Sequence, residues 1–496
     1  MNIISTENNK AEKPPVKIWV LVSATGLGAF LASLDGTIVN LGLKTIQDFF
    51  GVSQNQIQWI ILSYLLTMIA FTTIAGDLGD RFSNKKIFQI GMAIFTLASF
   101  LCFFAKSLLA LILFRVLQGV GATGLVANGM AIITRFTSQK KRGFAIGLNS
   151  LIIAVAVSLG PILGGVIAQY LRWGWIFMIN VPVGIAGLFY VQYIIPPTPP
   201  MNTERRKADV LGSVLLASFL FLLVFCFSVF ASIFENEPIF GSSTKLLAGL
   251  FFGFSILSLV GFILWEKRTE HPVVDLKMFK NRRFAIGVFS AVLAYIGLCV
   301  IIYQLPLFTQ VILGLSQLET GLIILGTPIA MATTAVISGY LADRIDAKYI
   351  TTLGIGVMTL SLIFGAVFTT DVVAKWVLAI IAVIIGIALG SFIAPNNTSV
   401  MSAAPENKLG VANSMISLST NVGFSIGTAL ATAVFIYSQN YFQKKNGGLL
   451  DDASNYVPAM KVLFVVFAVF MFCSTIFSWF RGPDPFERSF RKNKKD

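Results

Sequence analysis

Apolar residues in this chain gather in long blocks separated by short polar stretches, with no sustained two-residue alternation of the kind a half-buried strand shows. A transmembrane helix needs about 20 largely apolar residues. Fourteen blocks meet that length: 18–43, 57–76, 86–105, 108–134, 143–170, 174–195, 209–232, 245–264, 284–308, 320–341, 349–369, 374–395, 409–436 and 460–480. The pattern predicts an all-α integral membrane protein with fourteen spans. The first block is too long for the core of a signal peptide, which runs about 7–15 residues, and no convincing cleavage site follows it, so it reads as a retained span. An even count returns both termini to one face.

Composition supports that reading. Of the 496 residues, 56% are hydrophobic and 12% charged, about half the charged fraction of a soluble domain, and the mean hydropathy is +0.80. The net charge of +14 does not point to nucleic acid, because the cations sit in short clusters between apolar blocks and form no basic stripe or known motif. Placed on the fourteen-span layout, 28 of the 37 lysines and arginines fall on the side of the termini, 8 on the other, and one, Arg115, inside a span. That bias predicts cytoplasmic termini. The four cysteines lie in four different blocks and read as small buried hydrophobes, not as disulfides or metal ligands. His271, the only histidine, stands in a charged loop beside Pro272, a poor setting for a metal.

A weak internal repeat refines the layout. GDLGDRFSNKK (76–86) after the second span resembles GYLADRIDAKY (339–349) after the tenth. Setting 209–264 aside as an inserted hairpin gives two parallel units of six spans. The expected organisation is a tail at 1–17, a six-helix bundle at 18–195, a central two-helix insertion with its loops at 196–283, a second bundle at 284–480 and a basic tail at 481–496. Repeats of this kind are common in secondary transporters, whose site lies between the halves near the bilayer midplane.

With these motifs in place, the chain resembles the 14-span drug:proton antiporter branch of the major facilitator superfamily. The resemblance rests on LDGTIVNLGLKTIQ (34–47), GDLGDRFSNKK (76–86), RVLQGVGATG (115–124), SLGPILGG (158–165), RWGWIFMINVPVG (172–184) and HPVVDLKMFKNRRF (271–284). The chain departs from the family pattern at Lys44, where proline is usual, and at Asp77 and Ser83-Asn84 within the loop motif. The resemblance implies alternating access between two bundles, energised by a proton gradient without a bound cofactor. It further implies a small lipophilic substrate and, from the WGWIF wording, a periplasmic adaptor as a candidate partner in a bacterial inner membrane. It ties the arginine at 115 to proton transfer and the acid at 35 to transport. It assigns Gly160, Pro161, Gly164 and Gly165 to an antiporter motif. Gly76, Gly79, Asp80 and Arg81, with the second copy Gly339, Asp343 and Arg344, become a gating motif that stabilises one state.

Physical chemistry gives these residues independent weight. A carboxylate deep in a span is costly when charged, so Asp35 is suited to holding and releasing a proton. At 1.5 Å per residue, Asp35 and Arg115 both come out about 26–28 Å above the terminal side of their bundle. They are therefore expected to couple, Asp35 taking up the proton and Arg115 tuning its affinity; the alternative is a static ion pair that helps packing. Asp80 is expected to face the positive N-terminal end of the thirteenth span as a latch. Gly76 and Gly79 are expected to allow a tight turn and close helix approach. Pro161 and its neighbouring glycines predict a bend and tight packing in the fifth span.

Other polar residues within spans are candidate cavity liners: Gln58, Trp59, Tyr64, Asn128 and Asn149 in the first half. In the second half they are Tyr303, Gln304, Asn396, Asn397, Asn413 and Asn421. Each could equally be a helix–helix hydrogen bond. No Walker-type motif occurs, and the spans lack the clustered His, Ser/Lys or paired Asp an intramembrane enzyme needs. The expected activity is proton-coupled export of lipophilic small molecules, the alternative being export of one metabolite such as a siderophore or an antibiotic.

Overall fold

The computed structural model describes residues 17–137, 139–198, 209–232, 243–269, 272–274, 276–342, 345–370, 375–404, 409–446 and 453–482. Every regular element among them is helical, as hydrocarbon demands when each backbone N–H and C=O must be satisfied within its own segment. Among the described residues, thirteen helices are long and apolar enough to cross a bilayer, and a bent pair, taken as one, makes a fourteenth span. The first seven are α1 (Ile18–Phe50), α2 (Trp59–Arg81), α3 (Asn84–Phe103), α4 (Leu108–Phe136), α5 (Gln139–Tyr170), α6 (Trp175–Ile194) and α7 (Val210–Ser232). There follow α8 (Thr244–Glu266), α9 (Arg282–Val311), α10 (Gln317–Ala342), α11 (Ala347–Phe368), α12 (Lys375–Ser402), α13 (Leu409–Asn446) and α14 (Ala453–Trp479).

Several helices run beyond the ends that hydropathy predicts. α1 continues past residue 43 to Phe50, its polar last turns carrying a Lys44–Asp48 ion pair of 2.9 Å. Gly51 then closes it at φ 62°, a left-handed backbone that glycine adopts without steric cost. α12 runs through Pro395 to Ser402, where Asn396 and Ser399 are buried in protein and do not mark a membrane edge. The segment Gln54–Arg81 bends by 43° between Thr72 and Ile74. Thr67 and Thr72 both donate back to the carbonyls four residues earlier, a bond that bends helices. α9 is interrupted by a π-turn at Val300–Gln304, just ahead of Pro306, which has no N–H to give the regular ladder.

α1 packs on α4, α5 and α6, while α3 joins α4 and α6. Among the later helices, α10 and α11 both pack on α12, and α14 joins α9, α11 and α13. The two groups meet along two seams, α5 against α10 and α2 against α13. α7 and α8 pair as a hairpin, and α7 lies against both α2 and α13. Its attachment is polar as well as apolar. Asn55 Nδ2 donates to the Ser228 carbonyl (2.7 Å), Ser228 Oγ donates to Asn55 Oδ1 (2.8 Å), and Trp59 Nε1 donates to Ser228 Oγ (3.1 Å). The Trp59 ring also packs on Phe221 and Phe225.

On the face away from the termini the halves touch closely. Gln54 Nε2 donates to Gln304 Oε1 (3.3 Å) and the Leu318 N–H to Gln169 Oε1 (3.3 Å). A Cβ at Gly165 would stand 2.8 Å from the Gln317 carbonyl oxygen, and one at Gly321 2.5 Å from that of Pro161. Both obstacles are backbone, which cannot swing aside. Gly165→Leu is therefore expected to wedge this face open. Disulfide formation in a Gln54→Cys/Gln304→Cys pair, with the native cysteines replaced, would drop sharply in the Gly165→Leu background, and transport would fall to background.

Candidate functional site

Asp35 and Arg115 meet, as their heights in the sequence predict. The Asp35 Oδ2 and Arg115 Nη1 atoms form a salt bridge in which both side chains are almost wholly buried, at 0% and 1% exposure. Around this pair lies a closed set of hydrogen bonds. Asp35 Oδ1 accepts from Gln118 Nε2 (2.8 Å) and from Asn180 Nδ2 (3.0 Å). Arg115 donates through Nε to the Ile60 carbonyl (3.0 Å) and through Nη1 to Gln118 Oε1 (2.6 Å). Gln118 Nε2 also donates to Ser99 Oγ (2.8 Å), whose hydroxyl in turn donates to the Phe95 carbonyl (2.8 Å). The guanidinium lies 4.3 Å from the centroid of the Tyr64 ring and 5.7 Å from that of Phe177. Tyr64 is anchored by its hydroxyl to the Ala32 carbonyl (3.3 Å).

Five helices supply this cluster: α1, α2, α3, α4 and α6. Such a pair survives burial only with good geometry and further hydrogen bonds on the remaining polar atoms. The further hydrogen bonds are present here. The cation also has partners that do not depend on Asp35, namely the Ile60 carbonyl, Gln118 and two aromatic faces, so it keeps company when the carboxyl is neutral.

Sequence reasoning missed Gln118 and Asn180, although both stand in motifs that drew attention. Gln118 lies three residues after Arg115, hence on the same helix face. Asn180 begins the run Asn180–Ile194 after the short turn Trp175–Met178, where a polar residue in an apolar stretch is the available signal.

A cavity lies between the halves, on the terminal side of the Gly165–Gln317 contact. Thr37, Asn40 and Leu41 of α1, Pro161 of α5, Ile302 of α9 and Thr327 of α10 are among its lining residues. At 100° per residue, Asp35 and Thr37 point about 200° apart around α1. One helix therefore carries the buried charge cluster on one face and the cavity on the other. The antiporter-motif glycines hold α5 against it: a Cβ at Gly160 would fall 2.1 Å from Thr37 Oγ1, and one at Gly164 2.7 Å from the Ile38 carbonyl oxygen. Pro161 lies within α5, on the cavity wall.

The candidate liners fare differently. Of the ten whose side chains are described, none lines this cavity, and the polar atoms of several serve contacts between helices. Gln58 donates to Asn55, Trp59 faces α7, and Tyr64 covers Arg115. Asn128 donates to the Ala75 and Gly124 carbonyls and accepts from Asn84. Asn149 and Tyr303 are buried, Tyr303 among first-half residues such as Ile38 and Ile57, and Gln304 pairs with Gln54. Asn396 accepts from Arg481 Nη2, and Asn397 is half-buried. Asn421 lines a separate, smaller pocket with Ile69, Thr72 and Met415. The Asn413 side chain lies outside the described residues.

The loop motif also differs from expectation. Gly76 and Gly79 sit inside α2 and form no turn. Only Gly79 is sterically required, since its Cβ would collide with Asn128 Oδ1 at 1.7 Å, whereas Gly76 and Gly339 have room. Asp77 pairs with Arg81 (2.6 Å), Asp80 accepts from Asn84 (3.2 Å), and Ser83 caps α3. The residues where the chain departs from the family pattern thus carry the local bonding. Asp80 is exposed. Asp343, Arg344 and His271 lie outside the described residues, as do the side chains at 409–411 that open α13.

Two further findings correct the sequence reading. Cys102, Cys226 and Cys299 are buried but Cys473 is exposed. Arg481, counted with the basic tail, is 2% exposed. Burial pushes its guanidinium down to about 10, with Asp346 opposing and Arg283 adding to the shift.

The Major Facilitator Superfamily family model matches residues 25–308 and again 289–496. The chain belongs to the major facilitator superfamily. It is a transporter, not an enzyme. The riboflavin transporter RibZ of Clostridioides difficile (strain 630) is 32% identical over 430 residues, covering 86% of this chain and 90% of that protein. The multidrug export protein EmrB of Haemophilus influenzae is 28% identical, covering 86% and 82%. Among solved structures, a bacterial homologue of the human lysosomal transporter Spinster matches with a TM-score of 0.65 at 17% identity, covering 95% of this chain and 97% of that one. That likeness is one of fold.

Proposed function

We propose that this superfamily member is a proton-coupled antiporter that exports lipophilic small molecules by alternating access. The observation that carries the reading is the division of labour on α1: the buried Asp35–Arg115 pair on one face, the inter-half cavity on the other. Protonation of Asp35 removes the charge that Arg115 answers, so the packing of α1 on α4 and α6 changes, and α1 conveys this to the cavity wall at Thr37 and Asn40. The charge asymmetry of the loops supports cytoplasmic termini in a bacterial cytoplasmic membrane. The EmrB likeness supports a periplasmic adaptor as partner. Asp80 and Arg81 act as a latch at the terminal face. The proton gradient is the energy source.

A second reading, export of one dedicated metabolite, draws support from the likeness to a riboflavin transporter. Efflux from proteoliposomes under an imposed pH gradient tests both. Lipophilic cations, siderophore-like compounds and riboflavin would be compared. Gradient-dependent export of several unrelated lipophiles is expected; export of a single compound would favour the second reading, and no gradient dependence for any would sink the coupling.

A further inference from the structure

In the cluster, every group that touches the Asp35 carboxylate is a donor. Arg115 offers only N–H groups, and Gln118 and Asn180 present their amide nitrogens. The site as it stands suits the charged carboxylate. A protonated Asp35 would bring one O–H into a sealed region with nothing there to accept it, and an unsatisfied buried donor is costly. One atom can answer this need. Asn180 is 0% exposed, and its Oδ1 has no hydrogen-bond partner although it is fully shielded from solvent. Gln118 cannot take the role cheaply, because its Oε1 already accepts from Arg115 and its Nε2 already serves Ser99.

We propose that Asn180 reads the protonation state of Asp35: when Asp35 takes up a proton, the Asn180 amide turns by half a rotation and its free Oδ1 accepts the new O–H. The inference rests on Asp35 being the proton-carrying group. The step balances without any further reactant. A proton arrives on Asp35 Oδ1, the Asn180 Nδ2–H bond to that oxygen breaks, and an O–H bond to Asn180 Oδ1 replaces it, while Nδ2 turns into the place Oδ1 leaves and gives up that acceptor. Asn180 opens the main run of α6, two residues before Pro182, so the exchange alters the tie between α1 and α6 while Arg115 keeps its other partners. Asn180 is a positioning residue. It holds no substrate; it lets the neutral carboxyl exist in a dry site.

Infrared difference spectroscopy of the full-length protein in lipid, between acid and alkaline pH, provides the test. The carboxyl C=O band removed by Asp35→Asn identifies protonated Asp35. In Asn180→Leu that band should move to higher wavenumber, because the O–H has lost its acceptor, and gradient-driven transport should slow on the order of tenfold. Asn180→Gln should bring the band back towards its original place and restore most of the rate. The measurement does not hinge on the leucine variant folding. Isotope-labelled asparagine in the unsubstituted protein should shift an amide band in the same difference spectrum, and Asn180→Gln should remove that sensitivity. An unmoved carboxyl band in Asn180→Leu, or no asparagine amide band, would overturn the role of Asn180 while leaving Asp35 as the titrating group. Absence of any carboxyl band sensitive to Asp35→Asn would overturn the coupling reading beneath it.

Discussion

Asp35→Asn is expected to abolish substrate accumulation driven by a pH gradient, down to the level of protein-free vesicles, while substrate counterflow without a gradient persists. Asparagine has nearly the shape of a protonated aspartate and leaves Arg115 its bonds to Ile60 and Gln118 and its two aromatic neighbours. The variant should therefore fold, reach the membrane and sample the states of a permanently neutral residue 35. What it loses is the group that can exchange a proton. The decisive comparison is gradient-driven against counterflow transport in the same proteoliposomes at matched protein density. Full gradient-driven transport at normal expression would show that the proton travels by another route.

Arg115→Leu attacks the same pair from the other side and should be the more damaging to folding. It strands a carboxylate that is 0% exposed, with amide donors as its only remaining hydrogen-bond partners. Breaking a buried pair in this way costs about 3–5 kcal/mol. Leucine also gives up the stacking on Tyr64 and the bond to the Ile60 carbonyl. Thermal unfolding in detergent should begin well below that of the unsubstituted protein. The double variant Asp35→Asn/Arg115→Leu should recover a substantial part of the loss, since no charge is left uncompensated. If both variants melted alike, the penalty would come from packing around residue 115 and not from the lone charge.

The sequence made the broad architecture readable because hydrocarbon tolerates so few solutions. Long apolar blocks have to be helices, and clusters of Lys and Arg count the loops. The meeting of Asp35 and Arg115 was readable for a related reason: only these two deep groups stood at one height in one bundle, and a buried charge requires a partner. The uncharged polar residues were harder. Trp59 and Asn55 bind Ser228, which lies 169 and 173 positions further along the chain, and no local pattern announces a bond across such a distance. Asn396 reads as a membrane edge or a cavity liner until Arg481 is seen folded onto it. Gly76 and Gly79 look alike in the motif, yet only one faces Asn128. Helix ends were blurred wherever polar residues were buried in protein, as in α12.

The polar stitching of the α7–α8 hairpin bears on how such a protein could have been assembled. A two-helix graft held only by greasy contacts could be excised to leave an ordinary twelve-helix carrier. Here excision would strip Asn55 and Trp59 of their Ser228 partners and turn an asparagine amide and an indole N–H outward, toward lipid. It would also bare the flank of α13 on which α7 rests. The contacts at Ser228 tie the hairpin to the second span, so a viable shortened version would need new side chains at 55 and 59 before it lost a single helix.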